Sequence, residues 1–236
     1  MEIHKLKPIH SWRDFGKELG TIVLGIIIAI TLEHLVEAWS WDREVKTARE
    51  AIFAEISANN ENLYAYRIAT APCVQKDLKE ADAILTALET GHKTGGMTHF
   101  SPAPAALTRD SEWQSERASQ VLTHFPRAEL ALMSRYYAQM ENIDGLAKSE
   151  GGAFGDLATL MNPPAGMVTT DLIQIRNNLR AAKAFESLVV SSATRQLRIS
   201  AQLGLPEPKV DPVRVKNFCT MSQDDFIRWR TTQDLR

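Results

Sequence analysis

Few side chains in this sequence stand at spacings that chemistry requires. Cys73 and Cys219 are its two cysteines, set almost a whole soluble domain apart. Neither belongs to a C-x-x-C pair, so a thioredoxin-like or zinc-binding reading fails. An even pair in an exported domain suits one disulfide closing a very long loop; two unrelated buried thiols in a cytosolic protein are the alternative. Glu33, His34 and Glu37 cluster at the end of an apolar run. A carboxylate near a membrane face can serve as an ion site or as a counter-charge for a partner, or can simply meet water among the headgroups. His34 and Glu37 alone are too few ligands for a metal. The stretch from Gly91 to Gly96 (GHKTGG) has the look of a phosphate loop. It has His92 where a glycine must precede Lys93, it lacks the upstream glycine, and it follows a helix rather than a strand. His92 and His99 would bind a metal only with partners from elsewhere. There is no GxSxG, HExxH or S-x-x-K. No catalytic residue, cofactor site or metal site is therefore assigned.

The element that positions Glu33 and Glu37 is the run Leu19–Leu32, 14 residues without a charge. A bilayer crossing needs about 20 residues, and extension to Trp41 gives a helix roughly 34 Å long. Trp12 and Trp39 lie about 40 Å apart along such a helix, matching the two headgroup belts. A cleaved signal peptide would need a small-residue site directly after the apolar core. Ala38-Trp39-Ser40 fits only loosely, with Glu33, His34 and Glu37 intervening. A buried core helix and an interfacial helix are the other readings; against the latter, the run is apolar all round. An uncleaved signal-anchor is favoured. Lys5, Lys7, Arg13 and Lys17 precede the span, against Arg43, Lys46 and Arg49 just after it. The positive-inside rule thus leans towards a cytoplasmic N-terminus and a periplasmic C-terminal domain in a bacterial inner membrane.

Thr21, Gly25, Ala29, Glu33 and Glu37 recur at intervals of four along the span, and Gly16 and Gly20 add a GxxxG before it. Small residues at this spacing let helices approach closely. The stripe is the candidate surface for a homo-oligomer or an envelope partner.

Beyond the span the chain reads as helices. Val45, Ala48, Ile52, Ile56 and Leu63 continue the anchor as a stalk helix that Pro72 ends or kinks. A second helix carries Val74, Leu78, Ala81, Leu85 and Leu88 and stops at Gly91. Residues 91–108 are a loop by composition. Ser111-Glu112-Trp113-Gln114 is a capping box, and Pro126 stands as the first residue of the next helix. Gly151-Gly152 breaks that helix, with a short one over 153–161. Thr170 then caps a long helix that Gly204 stops, its stripe running Leu172, Ile175, Leu179, Ala182, Phe185, Val189, Ala193 and Leu197. Residues 206–221 read as extended, pinned by three prolines, before a short turn capped by Ser222 that holds Phe226 and Trp229. The expected fold is all-α: an N-terminal transmembrane helix continuing into a stalk, followed by an antiparallel helical bundle. Its divisions are a cytoplasmic segment 1–18, a span 19–41, a bundle 42–205, and an extended C-terminal segment 206–236. A net charge of −2, with no concentration of Lys and Arg, argues against nucleic acid.

Two stretches carry a family likeness. The first is KELGTIVLGIIIAITLEHLVEAWSWDREVKTAREAIFAEISANNENL. The second runs Trp113, Ser119-Gln-Val-Leu122, Pro126, Glu129-Leu130, Tyr136-Tyr137. Together they resemble uncharacterised membrane proteins of alphaproteobacteria of the sphingomonad and caulobacter kind. The resemblance implies one N-terminal span, a helical domain behind it and a bacterial origin; it implies no activity. Three functional readings follow. The first is a membrane-anchored periplasmic domain that binds, scaffolds or senses. The second is a subunit of an inner-membrane complex assembling through the Glu33 stripe. The third is an enzyme whose residues are gathered only by folding.

Overall fold

The computed structural model describes residues 12–100 and 108–220, with no strand among them. The fold is all-α. One helical column runs from Trp12 to Glu89 as three joined segments: α1 (Trp12–Asn59), a π-helical turn (Asn60–Tyr64) and α2 (Ala65–Glu89). Its lower part is bare, with Ile22, Leu24, Ile27, Leu32 and Val36 exposed. From Val45 upwards the same helix is core, and Ile52 and Ile56 are fully buried. The column contains a helix long and apolar enough to cross a membrane, and none of its apolar window is buried in the protein.

Pro72 does not end this column; α2 passes through it. A mid-helix proline removes one hydrogen bond and crowds the carbonyl four residues back, typically costing about 3 kcal/mol. Here the flanking positions are held by packing. Ala71 and Val74 are buried, and Cys73 is bonded to Cys219. The π-helical turn has its own reason. Ile56, Asn60 and Tyr64 are all buried at intervals of four, a spacing that drifts around an ordinary helix but fits a wider turn.

Two more long helices complete the bundle: α4 (Arg127–Gly155) and α5 (Thr169–Gln202). The short α3 (Ser111–Ala118) and a 3₁₀ turn (Gln120–His124) bring the chain back down beside α1. Thus α4 rises parallel to the column: Glu129 meets Arg49, Tyr137 meets Glu55, and Glu150 meets Arg67. Helix α5 descends antiparallel to both, from Arg176 at Glu89 to Gln196 at Tyr136. Two apolar clusters stack along the bundle. The lower gathers Ile52, Ile56, Met133, Tyr136, Ile143, Val189 and Ala193. The upper gathers Val74, Leu78, Leu85, Phe154, Leu157, Leu160, Leu179 and Phe218.

Several boundaries differ from the sequence reading. Gly151-Gly152 does not break α4, which runs to Gly155; neither glycine has a positive φ, and Glu150, Ala153 and Phe154 are buried around them. The short helix expected over 153–161 is the end of α4 plus a 3₁₀ turn, Asp156–Met161. Thr170 is not the cap of α5. Val168 is, and its N–H donates to the Asp171 carboxylate at 3.4 Å. Pro126 sits one position before the first helical residue of α4. Ser111 starts α3 but does not cap it: its hydroxyl goes to Glu55, while Gln114 Nε2 donates to Asp110 at 3.0 Å. Residues 206–221 are not wholly extended either, because Pro212–Thr220 forms α6. Pro212 opens it, and the Asp211 carboxylate accepts from Val213 N–H at 2.8 Å, so an Asp-Pro start was the overlooked signal. Ser222, Phe226 and Trp229 lie outside the described residues.

The two glycine stops stand as read. At Gly91 (φ 74°) and Gly204 (φ 80°) the closing hydrogen bonds are His92 N–H to Ala87 O at 2.9 Å and Leu205 N–H to Ser200 O at 3.2 Å. This is the αL closure that favours glycine. Gly96 has a different constraint. A Cβ there would lie 1.9 Å from the Met161 carbonyl oxygen, next to the Met97 N–H to Leu160 O hydrogen bond. Gly96→Ala is expected to cost about 1–3 kcal/mol through this backbone clash, read as a lower urea midpoint. An unchanged midpoint would show that the loop is not held against the 156–161 turn.

Candidate functional site

Thr21, Gly25, Ala29, Glu33 and Glu37 all lie on the exposed part of α1. Four residues advance an α-helix by about 400°, so each step drifts about 40°. The five therefore form an inclined ridge rather than one face parallel to the axis, with Glu37 well around the helix from Thr21. A partner helix following such a ridge crosses at an angle, as GxxxG pairs do. The Thr21 hydroxyl bonds back to Lys17 O at 2.9 Å, and the Glu37 carboxylate accepts from Trp41 Nε1 at 3.5 Å. His34 Nδ1 stands 3.9 Å from Glu37. At the foot of the bundle, Trp41 stacks on His124 with centroids 3.9 Å apart. Arg49 grips Glu129 at 2.6 and 2.9 Å while lying over Phe125.

The structure joins Cys73 of α2 to Cys219 of α6, with Cα atoms 5.7 Å apart. The bond fastens the C-terminal helix to the column beside Tyr66, whose ring meets Phe218 edge-on and carries Arg214 4.2 Å above it. His99, read as a loop histidine, is docked, its Nδ1 3.2 Å from Asp77. Among the described residues, no three His, Cys, Asp or Glu side chains converge as a metal site.

What sequence reasoning missed is a ladder of polar groups inside the bundle. At its lowest rung Glu55 reaches from α1 to the start of α3. It accepts from Tyr137 OH at 2.7 Å, Glu112 N–H at 2.8 Å, Ser111 Oγ at 3.2 Å and Trp113 N–H at 3.3 Å. The carboxylate thus serves the free amides and positive end of α3 from another helix. Trp113 stacks flat on Tyr137, centroids 4.7 Å apart. One turn up, Asn59 copies a backbone pair, donating to Arg109 O at 2.7 Å and accepting from Arg109 N–H at 3.0 Å. Tyr136 OH donates to Asn60 Oδ1 at 3.0 Å, and Gln196 Nε2 donates to the Tyr136 carbonyl at 2.7 Å. Burial holds the Tyr64, Tyr136 and Tyr137 hydroxyls far above the ordinary phenol range, so all three stay neutral.

The highest rung is ionic. Arg67 of α2 donates through one nitrogen, Nη2, to both Glu150 of α4 and Glu186 of α5. Arg67 is 5% exposed and each glutamate 1%. The cluster sits where the lower apolar core gives way to the upper, between Tyr64 and Val74, Ile143 and Ala153, Ala182 and Val189. Arg67 Nε and Nη1 and Glu186 Oε1 have no hydrogen-bond partner. Burial above all, and then the Glu186 carboxylate, push the Glu150 carboxyl up to about 8 against the pull of Arg67. A signal was present in α5. The buried face runs Ala182, Glu186, Val189, Ala193, Gln196 and Ser200, so Glu186 occupies a core position that an apolar stripe through Phe185 passes over.

A second ionic group lies near the top surface. Arg176 bridges Asp82 and Glu89, and Lys183 reaches Asp82 at 2.6 Å. Hydrogen bonding from Lys183, then from Arg176, lowers the Asp82 carboxyl below its usual range against a modest desolvation. Such exposed pairs contribute little stability. The ladder, by contrast, lies inside the bundle, where Glu55, Asn59, Asn60, Arg67, Glu150, Glu186 and Gln196 are buried. Two shallow hollows among the described residues lie at the foot of the bundle. One is lined by Trp39, Arg43, Glu44, Glu116 and Ser119, and another by His34, Glu37, Trp41, Arg49 and His124. Compared with known protein families, characterised proteins and solved structures, the chain matches none.

Proposed function

We propose that this chain is a single-pass protein of a bacterial inner membrane, its N-terminus cytoplasmic, that carries a periplasmic helical bundle in a non-enzymatic binding, scaffolding or sensing role. The observation that carries this reading is the unbroken column from Trp12 to Glu89, bare and apolar below, buried above. From Trp41 to Glu89 it is roughly 72 Å long. A bundle built on its own anchor in this way is held upright, without a flexible linker between membrane and domain. The cysteine pair supports an oxidising compartment, and the charges around the span lean the same way. A helix partner, either a second copy or another subunit, would pack along the Gly25–Ala29–Glu33 ridge.

The test is thiol labelling of Cys73 and Cys219 in intact cells, alongside alkaline extraction of membranes. The protein is expected to stay with the extracted membranes, and both thiols to label only after reduction. Free labelling after lysis without reductant would place the bundle in the cytoplasm, and release by alkali would remove the anchor.

A further inference from the structure

We propose that Glu150 and Glu186 form a buried proton-binding site, holding one exchangeable proton between them over Arg67, so that the bundle's stability responds to pH. The geometry carries this. Two carboxylates converge on a single guanidinium nitrogen. All three side chains are almost fully shielded from solvent, and apolar clusters lie above and below. With both acids ionised the cluster holds one uncompensated negative charge in a low-dielectric interior, which proteins relieve by taking up a proton. A shared proton turns one carboxylate into a donor towards the other.

Among the described residues, Arg67 is the cation in ion-pair contact with either glutamate. On α5, Lys183 is engaged by Asp82. On α4, Lys148 draws on Asp144, a carboxyl raised by its own burial. On α6, Arg214 lies over Tyr66 and reaches Asn62 at 3.2 Å. The π-helical turn contributes Tyr64, a neutral phenol. Further up α2, Asp77 faces His99. The rise of the Glu150 carboxyl to about 8 accords with the geometry. The folded state then binds a proton that the unfolded chain releases above about 4.5, so stability is full at low pH and lost as pH climbs towards 8.

The experiment is thermal unfolding of the full chain in detergent across pH 5 to 9, with Glu150→Gln and Glu186→Gln alongside. Wild type is expected to lose on the order of 5–10 °C of Tm between pH 5 and 8. Either single glutamine, a neutral mimic of the protonated acid, flattens the profile and equals or exceeds wild type at pH 9. Profiles parallel to wild type, or variants less stable at every pH, overturn the proposal. Should the variants fail to fold, infrared spectra of wild type decide it. A protonated-carboxyl stretch present at pH 6 and gone by pH 9.5 is expected, and its absence at pH 6 overturns the site. This readout concerns the proton, whereas the labelling experiment concerns the compartment, so each can fail without the other.

Discussion

Arg67→Met is expected to destabilise the bundle by about 3–5 kcal/mol. Methionine fills much of the same volume, so the loss is electrostatic. It strands Glu150 and Glu186 together in a site where each is 1% exposed. The deficit should grow with rising pH, because without Arg67 a carboxylate formed at this site has no buried counter-charge. Replacing all three members with apolar residues of similar size is expected to recover most of the loss, since removing a buried ionic cluster whole is often neutral or stabilising. Urea unfolding of the single and triple variants at pH 6 and 8.5 measures both effects. A single variant as stable as wild type at pH 8.5 would mean that solvent reaches the cluster.

Cys219→Ser is expected to cost about 3–5 kcal/mol under oxidising conditions and nothing further when reductant is added. The bond joins residues 146 apart, and the chain-entropy relation gives roughly 5 kcal/mol for a loop of that length, with real bridges often delivering less. The local consequence is as specific as the global one. Helix α6 rests on Tyr66 through Phe218 and Arg214, a small contact for a nine-residue helix. Without the bond it should come off first, seen as rapid amide exchange over 212–220 while α5 stays protected. Equal protection of α6 in the variant would assign its docking to packing alone.

The column from Trp12 to Glu89 shows how far local pattern reaches. The charge-free run Leu19–Leu32 is readable because a span needs a simple property, continuous apolarity, that neighbouring residues declare together. Gly91 and Gly204 are readable because an αL closure needs a residue without a Cβ, whatever the rest of the fold does. A helix end at Pro72 and a break at Gly151-Gly152 misled for the opposite reason. Their local preference is a few kcal/mol at most, and packing at Ala71, Val74, Ala153 and Phe154 outweighs it. Helix α6 escaped because three prolines in 206–221 suggested extension, although Asp211-Pro212 is itself a helix start.

By itself the amino-acid sequence determined the helical class, the membrane-compatible segment, the two glycine stops and the even cysteine pair, because each follows from properties of a few adjacent residues or from simple counting. Only the tertiary structure decided that Arg67, Glu150 and Glu186 meet, that Glu55 serves the start of another helix, and that α4 rises parallel to the column on which it packs. Those facts depend on which residues, 56 to 119 positions apart, come to share one interior. The cost of burying a charge is then set by neighbours that no local window contains.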